Sequence, residues 1–219
     1  MEGINGIETT LARTALLIID VQNDFCKGGA LEVRDGETVI APLNALAEYC
    51  VDHGGKVIAT ADWHPRGHAS FASARTAASN AVGNSADGQA LWPDHCVQGT
   101  KGAQFHESLN LNPVQLIIRK GFRLNLDSYS AFFENDRTTP TGLDGYLKVL
   151  GVTTVLIGGL ATDYCVLYSA LDAVHLGYQV TVLIDAVRAV NMPAGSEQAA
   201  FTAMRKAGIA LAGTKEWIL

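Results

Sequence analysis

The stretch Thr154-Val155-Leu156-Ile157-Gly158-Gly159-Leu160-Ala161-Thr162-Asp163-Tyr164-Cys165-Val166 decides the fold. Residues 154–157 are a short apolar, β-prone run, and Gly158-Gly159 mark a turn. From Thr162 the spacing becomes helical, with apolar residues at Val166, Ala170, Leu171 and Val174, until Gly177 closes the segment after Leu176. A strand that passes through a glycine-bearing turn into a helix is the half-unit of an α/β sheet.

The same half-unit recurs on both sides. Buried strands are predicted upstream over residues 15–19, 56–60 and 114–119, and downstream over 179–184, with a shorter one at 209–211. Helical spacing covers residues 42–53, 142–150 and 197–207, each run stopped by glycine: Gly54, Gly151 and Gly208. Six strands alternating with helices predict an open α/β fold whose mostly parallel sheet is covered on both faces. Residues 1–13 read as a short arm and 14–219 as a single domain. Residues 65–105 interrupt the rhythm: they are rich in Ala, Ser, Gly, Asn and His without a sustained period. A long irregular insertion in a compact domain is usually either functional or disordered, and His68, Trp92 and His95 within this one favour the functional reading.

Composition removes several functional classes. With 219 residues and 48% hydrophobic side chains, the chain can bury a full core. Sixteen basic against twenty-two acidic side chains leave a net charge of −6, with no basic cluster, so neither nucleic acid nor an anionic membrane surface is an expected partner. No run reaches the length of a membrane span, and no secretory signal is visible at the start. Cys26, Cys50, Cys96 and Cys165 form no C-x-x-C pair, which reads as reduced thiols in a cytoplasmic protein.

Ionisable residues fall where strands end. Asp20 closes the first, Asp62 follows the second, Lys120 closes the third, and Asp163 with Cys165 follows the fourth. In an open parallel sheet ligands bind at those carboxyl ends, beside the point where strand order reverses. Cys165 then sits in a first helical turn, where the dipole favours a thiolate nucleophile; a small apolar filler is the other reading of a buried cysteine. Asp20 ends an apolar run and needs a partner there, as a structural acceptor or as a general base of raised pKa. Lys120 is either a snorkelling strand-end lysine or the partner of that carboxylate. Asp62 and His64 alternate along an extended segment and, with His95, offer two imidazoles and a carboxylate. That donor set suits one divalent ion, zinc first, with iron or manganese as alternatives.

Six motifs in order resemble the bacterial nicotinamidases of the isochorismatase-like hydrolase superfamily. They are Asp20-Val21-Gln22-Asn23-Asp24-Phe25-Cys26, Asp62-Trp63-His64-Pro65, Trp92-Pro93-Asp94-His95-Cys96-Val97, Lys120-Gly121, Asp127-Ser128-Tyr129-Ser130 and Gly159-Leu160-Ala161-Thr162-Asp163-Tyr164-Cys165-Val166. The resemblance implies a sheet of order 3-2-1-4-5-6 and a catalytic triad of Asp20, Lys120 and Cys165. It implies an oxyanion hole from the backbone amides of Ala161 and Cys165, aimed by a cis Leu160–Ala161 bond. Asp62, His64 and His95 would hold the metal; Phe25, Trp92 and Tyr129 would line the pocket. The implied reaction is hydrolysis of nicotinamide, and of pyrazinamide, through a cysteine thioester. His68, Ser70 and water stay open as a further ligand, the segment 72–90 is poorly matched, and a homo-oligomeric assembly stays open.

Overall fold

Six strands build the sheet: β1 (Thr14–Ile19), β2 (Lys56–Asp62), β3 (Leu116–Lys120), β4 (Thr154–Leu160), β5 (Gln179–Arg188) and β6 (Ala210–Ala212). The computed structural model describes residues 11–75, 83–84 and 90–218. Strand order is β3-β2-β1-β4-β5-β6, and every neighbouring pair is parallel. The order expected from the resemblance therefore holds. β1 and β4 are buried along their whole length, as central strands without polar alternation must be.

Four helices cover the two faces: α1 (Ile40–Asp52), α2 (Leu143–Val149), α3 (Leu167–His175) and α4 (Ser196–Lys206). Side chains along β1 alternate between two cores. Leu16 and Ile18 pack with Leu43, Leu46, Ala47 and Cys50, the apolar stripe of α1 at i, i+3, i+4 and i+7. Ala15, Leu17 and Ile19 pack on the other side with Leu143 and Leu147 of α2, Ala170 and Ala173 of α3, and Ala200 and Met204 of α4. One strand thus anchors both layers. Truncating a fully buried leucine such as Leu16 to alanine costs about 2–5 kcal/mol in such a position.

The boundaries differ from the sequence reading in informative ways. Gly158 and Gly159 are not a turn: they continue β4 in register with Ile18 and Ile19. A Cβ on Gly159 would lie 2.1 Å from the Ile19 carbonyl oxygen, so glycine permits the close approach of two backbones. The strand-to-helix passage comes later, and Thr162–Val166 form a π-type turn ahead of α3. β5 runs beyond residue 184 to Arg188, because its apolar pattern only pauses at exposed Ile184 and Asp185, where the β4–β5 register shifts. β3 includes Lys120, directly opposite Asp62 on β2.

Residues 1–10 of the expected arm lie outside the described residues. Leu11 is buried in the core, and the Arg13 carbonyl accepts the Thr153 and Thr154 amides, so the chain is already held at residues 11–13. The described parts of the 65–105 insertion fold over the carboxyl edge of the sheet. Single bridges tie Phe71 to Trp92, His64 to Val97 and Gln22 to Phe105. Gly83–Asn84 and Ala90–Leu91 pair as a two-residue antiparallel ribbon; residues 76–82 and 85–89 of the poorly matched segment lie outside the description.

Candidate active site

Lys120 is the hub at the carboxyl ends of β1–β4. It has no exposed surface, and its Nζ lies 2.8 Å from Asp20 Oδ2, 2.5 Å from Asp62 Oδ1 and 3.3 Å from Cys165 Sγ. Nζ also donates to the Ser128 carbonyl at 2.9 Å. Burial pushes the ammonium toward neutrality, but Asp20 and Asp62 outweigh it and hold Lys120 charged, well above its ordinary value. One cation thereby serves two carboxylates. Burial also raises Asp20, and Lys120, shared with Asp62, only partly offsets it. Thr60 Oγ1 donates to Asp20 Oδ1 at 2.6 Å, whereas Oδ2 faces the Lys120 ammonium.

The sequence reading expected the helix dipole to favour a thiolate at Cys165. The structure places Cys165 in the turn before α3 and beside Lys120, yet burial dominates and lifts the thiol well above its usual range. Cys165 therefore rests protonated, with a basic carboxylate close by: ligand atoms of Asp20, Asp62 and Cys165 lie within 4.8 Å of one another. The other cysteines are free and buried, with Cys26 raised to about 11 and Cys50 to about 12, as inert fillers are.

Asp62, His64 and His95 form a buried cluster whose ligand atoms also lie within 4.8 Å of one another. His64 Nδ1 hydrogen-bonds the Gly121 carbonyl at 2.9 Å, and His95 Nδ1 that of Pro93 at 2.8 Å. Both Nδ1 atoms then donate to backbone carbonyls and turn the Nε2 atoms toward Asp62. Burial lowers His64, but the Asp62 carboxylate outweighs it and raises it, so an ion bound there would replace the His64 Nε2 proton. Those Nε2 atoms sit 3.7 and 3.8 Å from Asp62 Oδ2, while Oδ1 is held by Lys120. Burial lowers His95 to about 4, which keeps its imidazole neutral as a ligand must be. The donor set, its orientation and its second layer fit a divalent ion. His68 and Ser70 bond to each other at 2.7 Å, and His68 Nε2 lies 3.3 Å from the Leu126 carbonyl. That occupies the two side chains left open as further ligands, although His64, His68 and Asp127 also converge.

The two clusters meet at one cavity, whose lining includes Asp62, His64 and His95 together with Ala161 and Cys165. All three expected aromatics, Phe25, Trp92 and Tyr129, line it, and Trp92 Nε1 donates to the Tyr129 hydroxyl at 3.2 Å. The Leu160–Ala161 bond is cis, as the resemblance implies.

Several participants escaped the sequence reading. Thr60 lies on the same face of β2 as Asp62, two residues on, so period-two alternation could have found it. Tyr164, Leu31 and Val190 also line the cavity, and Tyr164 packs edge-on against Trp92 with ring centroids 4.8 Å apart. Ser128, inside a quoted motif but given no role there, contributes a carbonyl, and Val190 arrives from the chain beyond β5 without a local signal.

The isochorismatase domain pattern matches residues 14–216. A nicotinamidase of Escherichia coli (strain K12) is 43% identical over 205 residues, covering 93% of this chain and 96% of the relative. A solved Acinetobacter baumanii nicotinamidase/pyrazinamidase is 43% identical, with a TM-score of 0.88 over 94% of this chain and 99% of its own. A Pyrococcus horikoshii pyrazinamidase solved in complex with zinc is 34% identical, with a TM-score of 0.77 over 92% and 99%. The chain belongs to the isochorismatase family and is an amide-hydrolysing member of it, alongside these nicotinamidases.

Proposed function

We propose that the protein hydrolyses nicotinamide to nicotinate and ammonia through a thioester on Cys165. The observation that carries this reading is the convergence of Cys165, Asp20 and Lys120 beside an aromatic-lined cavity that the ligand-ready Asp62, His64 and His95 also line. The names of the E. coli and A. baumanii relatives support the substrate. Pyrazinamide, a ring isostere with the same carboxamide, fits the same reading.

Each proton has a place. As Cys165 Sγ bonds to the carboxamide carbon, its proton passes to Asp20, whose raised pKa makes it the stronger base. Backbone amides of Ala161 and Cys165 receive the developing oxyanion. Asp20 returns the proton to the departing nitrogen, the C–N bond breaks and ammonia leaves. Water then adds to the thioester carbon, gives a proton to Asp20 and expels Sγ, which recovers it. Lys120 holds Asp20 in place and stabilises sulfur as negative charge builds. Phe25, Trp92 and Tyr129 enclose the ring. A divalent ion held by Asp62, His64 and His95 would supply a Lewis-acidic anchor for the pyridine nitrogen; zinc is the proposed ion, as in the P. horikoshii relative.

Rapid acid quench during turnover, followed by intact-mass analysis, tests the covalent step. A nicotinoyl adduct that maps to Cys165 is expected. Turnover in a Cys165→Ala variant at the wild-type rate contradicts the nucleophile.

A further inference from the structure

Asp163 stands between the oxyanion-hole residue Ala161 and the nucleophile Cys165, yet it touches neither the cavity nor Lys120. Its carboxylate is buried and turned the other way, onto the chain that leaves β5. Oδ1 accepts the Val190 amide at 3.1 Å; Oδ2 accepts the Asn191 amide at 2.8 Å and the Ser196 hydroxyl, the first residue of α4, at 2.5 Å. A second tie runs beside it, since the Tyr164 hydroxyl donates to the Met192 carbonyl at 2.6 Å. Asn191 Oδ1 accepts the Gly195 amide at 2.9 Å, which closes the segment on itself. Val190 is the residue of this segment that lines the substrate cavity, beside Tyr164.

We propose that Asp163 is a positioning residue for substrate binding: it latches the 190–196 strap onto the turn that carries Cys165, so that Val190 closes the cavity wall. A carboxylate is the fitting group because it is an acceptor only, with enough lone pairs for three donors on two segments. Without it, two part-buried amides lose their acceptor and the strap must move to find others. The wall touches the ring in ground state and transition state alike, so its loss weakens binding without slowing the chemical step. The inference rests on the amidase reading of this cavity.

The test compares wild-type holoenzyme with Asp163→Ala, Ser196→Ala and Tyr164→Phe, by nicotinamide kinetics and by amide hydrogen exchange. Asp163→Ala is expected to raise KM about tenfold while kcat stays within about threefold, the pattern of lost uniform binding. Exchange at Val190 and Asn191 should quicken in the same variant, and the two single-bond variants should give smaller KM increases. Unchanged KM, or a fall in kcat at constant KM, overturns the proposal. If Asp163→Ala does not fold, the other two variants decide, and wild-type KM in both overturns it. If the wild-type protein leaves nicotinamide intact, the substrate reading fails by itself. Exchange at Val190 and Asn191 then judges the latch alone, and unchanged protection in Asp163→Ala refutes it.

Discussion

Lys120 is the largest charged side chain in the core, and a buried ammonium persists only where carboxylates and carbonyls surround it. Here it joins Asp20 of the acid–base pair to Asp62 of the metal-ready cluster, so one residue couples the two halves of the site. Lys120→Met removes the charge and leaves two buried carboxylates facing each other. The expected loss is about 3–5 kcal/mol, read by urea denaturation of the variant against wild type. Asp20 gives a pH prediction whose sign follows from its raised pKa. The base form is needed, so kcat/KM is full above that pKa and falls as pH drops through it. The acid limb should therefore lie above 3.8, the ordinary value for an aspartate. Asp20→Asn should lower kcat by about 10²–10⁴-fold and abolish that limb, as a pH–rate series would show. An identical limb in the variant would assign the titration to another group.

At the scale of elements, four strand ends bring the site together, and the turn after β3 sets the metal cluster. Gly121 has φ +63°, and a Cβ there would lie 2.5 Å from His64 Cε1. Its carbonyl is also the acceptor that orients the His64 ring. Gly121→Ala should displace His64 and lower bound metal per chain well below one, with the far-ultraviolet spectrum of the fold retained; metal analysis beside circular dichroism checks it. The parallel order and the edge carrying the site were legible because buried runs, glycine stops and strand-end charges are local signals. Asp20 was legible because it ends an apolar run, Lys120 because it closes a strand, and Cys165 because it falls in the first turn after the glycine-bearing strand end. The extension of β4 through Gly158–Gly159 was not, since a glycine pair reads alike as a turn and as a close backbone approach. Nor was the protonated resting state of Cys165, because the burial that sets it comes from side chains distant in sequence. Val190 and the Ser128 carbonyl likewise join the site only through tertiary structure.

For the molecule as a whole, net charge, cavity and fold point one way. An acidic protein of charge −6 with a small aromatic cavity suits a neutral heteroaromatic amide better than a polyanion. Among the described residues no helix is long and apolar enough to cross a membrane. The central claim is that the Cys165–Asp20–Lys120 cluster cleaves the carboxamide of nicotinamide. The most direct test is ammonia release from nicotinamide by the purified, metal-loaded protein, run beside Cys165→Ala. Stoichiometric ammonia and nicotinate from the wild type, with release from the variant reduced to background, is the result predicted. No release from the wild type with metal bound and the thiol reduced, or equal release from both proteins, would contradict it.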